Sequence, residues 1–433
     1  MVGNRWAGVV LLAGLAVPSA LAGQQEVTLG EAIRLAERHQ PRVVQAVGVT
    51  RSSDARIRTA KGAFLPNLNV NANGSKSYSE NQRIDNSTGI LLESGSLSKS
   101  VSTSVSTSVD LFSGFRRTSE LSSARAAGSA ADASLVDARF QQSLQTTNQF
   151  FDALSARRLL AVRELSLRRA EEQLATSIAR LAAGAATRSD SLRSLVGVGN
   201  AQLQLVTTQS QLASAEANLG RLIGATERVA AVDDSGFYRM LPQPDQDALM
   251  SEALAQAPAV EVAEANTRAA EASLRVSKAG YWPTLTLSGN AGLSGADRND
   301  YKLLAQNNVS LAFTWQLFNR FNREQGVVQN NVAVENARAQ EAEVRRAVIA
   351  NMTTQLADLE AARLRIEITQ RSVAASNEDL RVQQERYRLG ASTILDVLLT
   401  QEAVTQAEVD AVNARFDYLR ARAAIEALIG RPL

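Results

Sequence analysis

The chain has 433 residues, with 46 basic and 44 acidic side chains interspersed and a net charge of +2. That balance provides no basic face for nucleic acid, and the absence of Cys rules out disulfides, thiolate metal sites and Cys nucleophiles. Aromatics are only 5%, and long tracts rich in Ala, Ser, Gln and Arg favour extended helices over a thick globular core.

Residues 1–22 are expected to be a secretory signal. Arg5 precedes the apolar run Ala7 to Val17, followed by Pro18 and the small-residue site Ala20-Leu21-Ala22. No Cys follows to carry a lipoprotein anchor. The run is too short to span a bilayer and no longer one follows, so a helical membrane span is excluded. Periplasm, outer membrane or exterior are the expected destinations.

The rest of the chain says nearly the same thing twice. Lys61-Gly62-Ala63-Phe64-Leu65-Pro66-Asn67-Leu68 returns as Lys278-Ala279-Gly280-Tyr281-Trp282-Pro283-Thr284-Leu285, 217 positions on (61 to 278). Leu111-Phe112 with Phe115 and Arg117 returns as Leu317-Phe318 with Phe321 and Arg323, now 206 positions on (111 to 317). Arg180 to Asp190 returns as Arg386 to Asp396, and Leu222-Ile223-Gly224 as Leu428-Ile429-Gly430, at the same spacing. A unit near 200 residues is a duplicated fold, far larger than a solenoid repeat. The change in offset, 217 minus 206, places an 11-residue difference between Leu68 and Leu111, where strand-to-strand loops would absorb it.

The first copy spans residues 23–224. It opens with a helix from Thr28, where Glu31 completes a capping box, to about Lys61 with an interruption at Pro41. Period-2 alternation then predicts strands at about 66–80 and 99–111, as in Asn67-Leu68-Asn69-Val70-Asn71-Ala72-Asn73 and the Val-Ser-Thr alternation from Val101 to Leu111. A Pro-free tract predicts a helix at 118–183, roughly 100 Å long. Gly184 suits its C-cap, and a helix at 188–223 carries the heptad seam Val198, Leu205, Leu212 and Leu219. A linker at 225–244 leads to the second copy, 245–430. Its parts are a helix interrupted at Pro258, strands at about 283–293 and 307–317, a long helix at 324–389, a turn at Gly390 and a helix at 392–428.

Each strand has one apolar and one polar face. A soluble hairpin would pack the apolar face on a core, whereas an outer-membrane barrel turns it to lipid. Three features favour the barrel: strands of about 9 to 11 residues, polar loops at about 80–99 and 294–307, and aromatics gathered at the strand ends nearest the helices. The membrane-interface aromatics are Phe64, Tyr281, Trp282 and Trp315, with Phe112 and Phe318 beside them. Four strands cannot close a barrel, and an open edge in lipid leaves backbone groups unpaired, so copies must share one.

Enzyme chemistry has no footing. The single His39 beside Gln40-Pro41 has no second His or Cys for a metal site or triad. Carboxylates such as Glu341 and Glu343 lie among Arg345-Arg346 as solvated helix faces, and Gly197-Val198-Gly199 lacks the following Lys of a phosphate loop. No cofactor is expected.

These elements resemble the TolC-type outer-membrane efflux protein family. The resemblance rests on Ala63 to Leu68, on the turn Asp110-Leu111-Phe112-Ser113-Gly114, and on Tyr387 to Leu398, in that order and over nearly the whole chain. It implies an α+β membrane protein: a homotrimer whose four strands per chain form a 12-stranded barrel in a Gram-negative outer membrane, continuous with a coiled-coil helical tunnel in the periplasm. It also implies a passive conduit for efflux or type I secretion, partnered by a periplasmic adaptor and an inner-membrane pump. The adaptor-docking tips would be Gly184, Thr187 and Asp190, with Gly390 and Thr393 in the second copy. Asp396 matches a pore-narrowing acid, although the companion acid three residues on is Leu399 here. A ring of Asp396 charges at the pore and a plain N-terminal helix carboxylate are both open readings; for Asp190 the helix reading fits better. The alternative to the channel is a secreted or periplasmic coiled-coil scaffold with soluble hairpins.

Overall fold

The computed structural model describes residues 25–433 except 85, 86, 88, 90, 241, 243, 244, 298, 299 and 432; the expected signal at 1–22 lies outside the described residues. The chain forms two compact units. One comprises the chain up to His39, Gln145–Met240 and Ala362–Arg420; the other comprises Gln40–Leu144, Leu241–Ala361 and Ala421–Leu433.

Proline sets the breaks in the opening helices. Pro41 and Pro258 each occupy a first helical position, where the missing N–H has no intrahelical partner to lose. Their predecessors Gln40 and Ala257 are pushed to extended ψ of 129° and 127°. The first opening helix is therefore α1 (Leu29–His39) and α2 (Pro41–Gly62), and the second α5 (Gln246–Gln256) and α6 (Pro258–Lys278). Glu31 N–H bonds the Thr28 hydroxyl at 3.4 Å to start α1. His39 donates from Nδ1 to the Leu35 carbonyl at 2.9 Å, closing the helix it ends.

The long helices α3 (Arg116–Ala182) and α7 (Asn322–Arg388) have 67 residues each, and α4 (Arg188–Ile223) and α8 (Ile394–Ile429) have 36 each. Helices this long hold together by side contacts rather than by propensity alone. In the first unit Phe150, Phe151, Phe237 and Phe416 meet edge to face or tilted, with centroids 5.5–6.3 Å apart. In the second unit small residues let helices approach closely, with Ala130 and Ala133 against Ala265.

The stretch 225–244 is more than the expected linker. Within it β4 (Val229–Ala231) pairs in parallel with β1 (Gln25–Val27), and Val229 and Val27 are 0% and 1% exposed. These three-residue strands carry too little pattern to stand out in sequence; β4 is buried throughout, and β1 buries only Val27.

The second unit holds the sheet, in the antiparallel order β2 (Asn67–Ile84), β3 (Leu91–Phe112), β5 (Thr284–Ala296), β6 (Leu304–Thr314). The first hairpin departs from the expected 66–80 and 99–111: β2 has 18 residues and β3 22, against 13 in β5 and 11 in β6. The extra residues therefore lengthen strands rather than the loop. Pairing of β2 with β3 continues without slip from Asn67–Ser108 to Ile84–Leu91, while β3 meets β5 only from Ser100–Ala296 downward. Above that level the sheet is a two-stranded ribbon. The second hairpin, expected at 283–293 and 307–317, is shifted toward the loop: β6 ends at Thr314, so Trp315 and Leu317 lie beyond it.

Candidate functional site

Sheet register sorts the side chains into two rows. Leu68, Val70, Ala72 and Gly74 on β2 pair with Thr107, Val105, Thr103 and Val101 on β3. These align with Gly289, Ala291, Leu293 and Gly295 on β5, and Gly289 continues to Val309 on β6. That row is apolar or small except at Asn307 on β6, which pairs with Ala291. The opposite row is polar: Asn67, Asn69, Asn71 and Asn73 against Ser108, Ser106, Ser104 and Ser102, continuing to Ser288 and Asn290. Hydrogen bonds brace it, with Ser108 N–H to Asn67 Oδ1 at 2.7 Å, Thr286 hydroxyl to Asp110 Oδ1 at 2.8 Å, and Ser288 to Ser310 at 2.7 Å. Among the described residues nothing covers the apolar row on β2 and β6: Val70 is 71% exposed, Leu311 62% and Val309 77%. In water each such side chain would forfeit about 1.5–3 kcal/mol relative to burial. Among the described residues the outer edges of β2 and β6 are unpaired and these strands run in opposite directions, so copies joined edge to edge would continue the antiparallel order.

At the helix-proximal ends of the strands the four expected interface aromatics fall into two matched seats. The Arg117 guanidinium lies 5.0 Å from the Phe64 ring centroid, and Arg323 lies 4.2 Å from that of Tyr281. Trp315 donates from Nε1 to the Tyr281 carbonyl at 3.3 Å, and Trp282 meets Phe115 edge to face at 5.7 Å. All four stay at least 39% exposed, as amphipathic rings at an interface would. Arg117 and Arg323 stood out in sequence only as a recurrence; their stacking role needs the fold. The step from strand to long helix takes two successive left-handed residues, Gly114 and Phe115 (φ 61° and 64°), and in the second copy Arg320 and Phe321 (φ 60° and 63°). A Cβ on Gly114 would sit 2.6 Å from the Trp282 Cβ, so this glycine both turns the chain and admits the tryptophan.

The first unit contains both helix-to-helix turns. Gly184 (φ 72°) and Gly390 (φ 78°) end α3 and α7. The N–H of Ala185 reaches the Arg180 carbonyl at 2.8 Å, and that of Ala391 the Arg386 carbonyl at 2.7 Å, giving two Schellman closures. Thr187 and Thr393 then start the next helices. Asp190 Oδ2 accepts from Thr187 N–H at 2.9 Å, Asp396 Oδ2 accepts from Thr393 N–H at 2.9 Å, and each threonine hydroxyl accepts from the aspartate N–H at 3.3 Å. The carboxyl of Asp396 is held below its usual range by the Thr393 N–H, then by the Thr393 hydroxyl and more weakly by Arg386. Asp396 is nevertheless exposed.

Three features of the turns were not read from sequence. Arg180 ties the two together: it donates to the carbonyls of Tyr387, of Arg388 at 2.9 Å and of Ala185 at 3.2 Å, with its guanidinium 4.5 Å from the Tyr387 centroid. Ile394, which differs from its counterpart Arg188, is buried with Tyr387, Val397 and Val404. Leu389, Leu395 and Leu399 are 73%, 49% and 62% exposed. Among the described residues no cluster of His, Cys, Asp and Glu could hold a metal ion, and no helix is long and apolar enough to cross a membrane.

The family model described as Outer membrane efflux protein matches residues 32–225 and 249–431. Among curated relatives, the chain is 23% identical over 431 residues to Outer membrane efflux protein BepC of Brucella suis biovar 1, covering 98% of this chain and 90% of that one. It is 25% identical over 424 residues to Pyoverdine export outer membrane protein OpmQ of Pseudomonas putida, covering 93% and 85%. Among solved structures, the Campylobacter jejuni CmeC outer membrane channel superposes with a TM-score of 0.78 at 16% identity, over 93% of this chain and 85% of that one.

Proposed function

Because this chain belongs to the outer membrane efflux protein family, and is an outer-membrane channel subunit rather than an enzyme, we propose that three copies close one 12-stranded barrel. The observation that carries this reading is the open four-stranded sheet, with its uncovered apolar row and two free antiparallel edges. Lipid on the apolar row and a neighbour's strand at each edge satisfy both needs at once. A coiled-coil scaffold with soluble hairpins would leave the row in water. The inward row is then Asn, Ser and Thr with Asp110 as its acid at the helix end, a largely uncharged lining that sorts polar solutes little, so selection falls to an inner-membrane pump.

The tips are proposed as the adaptor-docking surface. Their backbone is tied by Gly184, Gly390 and the Thr187–Asp190 and Thr393–Asp396 boxes, which leaves Leu389 and Leu395 as the apolar groups offered to a partner. Asp396 combines a capping role with an exposed carboxylate, and three of them around an axis would favour cations. Purified protein should conduct ions in planar bilayers and run as an assembly that heating dissociates. A cysteine at Thr393, unique in this Cys-free chain, should cross-link in cells to a periplasmic adaptor. A soluble monomer that needs no detergent would overturn the channel architecture, and exclusive capture of non-periplasmic proteins would overturn the docking assignment.

A further inference from the structure

The outward row of the first hairpin changes character at one rung. Up to Gly74–Val101 it is apolar or small; the next rung is Lys76 directly opposite Lys99. Like charges facing each other across an antiparallel pair repel, and among the described residues neither ammonium has a carboxylate within ion-pair distance. Two acids lie nearby and neither pairs with an ammonium. Asp297, one residue beyond the end of β5, accepts from the Lys99 backbone N–H at 3.2 Å through Oδ2, and its second carboxylate oxygen is buried with no hydrogen-bond partner among the described residues. Glu80, two residues above Tyr78, accepts from the Tyr78 hydroxyl at 3.0 Å. Tyr78, opposite Leu97, leans across Gly95, where a Cβ would come within 2.5 Å of its hydroxyl, so its ring points toward the hairpin tip and leaves the lysine rung open.

Height gives this rung a meaning. From Asn67, beside the lower aromatics, to Lys76 the strand rises roughly 30 Å, or about 23 Å along the membrane normal at a barrel tilt near 40°. That is close to the roughly 25 Å of an outer-membrane apolar band. It is also the level at which the sheet narrows to the ribbon. The choice of residue points the same way. Of the lysines, Lys76 and Lys99 lie in the tall hairpin, Lys302 between β5 and β6, and Lys61 and Lys278 in the last turns of α2 and α6, whereas the long helices use arginine.

We infer that the Lys76–Lys99 rung binds a phosphate group of the outer-leaflet glycolipid, lipid A. The inference rests on the channel reading, which makes this face lipid-facing. One phosphate between two ammonium groups removes their mutual repulsion and fixes the barrel's height at the leaflet surface.

The test is native mass spectrometry of the detergent-purified assembly, after its conductance has been verified, with lipid A, dephosphorylated lipid A or phosphatidylglycerol added in turn. Two lysines near an anionic surface should favour lipid A over its dephosphorylated form by roughly 20- to 30-fold. The double variant Lys76→Ser/Lys99→Ser should erase that preference, and Lys76→Arg/Lys99→Arg should retain most of it. Equal binding of the dephosphorylated lipid by wild type, or an unchanged preference in the serine variant, would overturn the inference. Phosphatidylglycerol binding as well as lipid A would overturn the assignment to the glycolipid. Should the serine variant not assemble, the wild-type and arginine arms decide. A wild-type protein that never conducts indicts the channel reading instead.

Discussion

Adjacent residues on β3 provide a sharp test of which sheet face meets lipid. Val105 sits on the apolar row opposite Val70 and level with Ala291, whereas Ser104 points to the polar row opposite Asn71. Val105 lies about 10 Å along the strand above the lowest rung, Asn67–Ser108, well inside the apolar band. An arginine on the lipid face at such depth costs about 2–3 kcal/mol, approaching the midplane value and well above that at the interfaces. Val105→Arg should thus lower the folded-to-unfolded ratio per chain by roughly 30- to 150-fold, whereas Ser104→Arg, one residue away and facing the lumen, should change it little. The assay is urea titration of refolding into phospholipid vesicles, read by the gel shift of the assembly before and after heating. A larger penalty for Ser104→Arg would show the two faces to be reversed, and equal penalties would refute the two-row reading.

Arg180→Ala removes charge-assisted bonds to three carbonyls at the turns, each class of bond contributing about 1.5–3 kcal/mol. The turns should loosen, with faster labelling of a cysteine placed at Leu389; labelling at the wild-type rate would contradict the tying role. Thr187→Ala removes one capping box and should destabilise the assembly by about 1 kcal/mol in a urea titration. The folded Asp396 carboxyl has a lowered pKa, so its contribution is full above the ordinary carboxylate range and is lost as pH falls through the lowered value. Cysteine labelling at Leu389 should accelerate below that range in wild type and be pH-independent there in Asp396→Asn. Gly114→Ala places a Cβ against Trp282 at a left-handed φ, and should cost about 1–2 kcal/mol from the backbone alone. Its control is Gly199→Ala on the regular helix α4, where a Cβ meets open space and the same urea titration should show no loss of stability.

Much of this fold was legible because its signals are periodic. The 206-residue spacing aligned the turns of the two copies, and the alternation of Asn with Leu, Val and Ala exposed two-faced strands. The ends of the first hairpin were not legible for a physical reason. Above Lys76 the same row mixes Tyr78, Glu80 and Gln82 with Leu97 and Gly95, so the apolar alternation fades although backbone pairing continues to Ile84–Leu91. The β1–β4 pair was too short to have a period. At the turns the glycines announced themselves through their conformation, but the seat of Arg180 depends on carbonyls 207 and 208 positions away, which no local pattern records. Asp396 looked in sequence like either a pore charge or a helix carboxylate, and its bonds to Thr393 give it the second role without removing the first.

The unequal strand lengths also bear on where cargo leaves. In a closed ring the 18-residue β2 would stand beside a neighbour's 11-residue β6, so the upper part of each long hairpin would have no strand on its outer edge. The wall would then be continuous only through the membrane and would break above it into three separate posts. Solute emerging from such a pore could escape sideways through the gaps, beneath the hairpin tips, without any loop having to open.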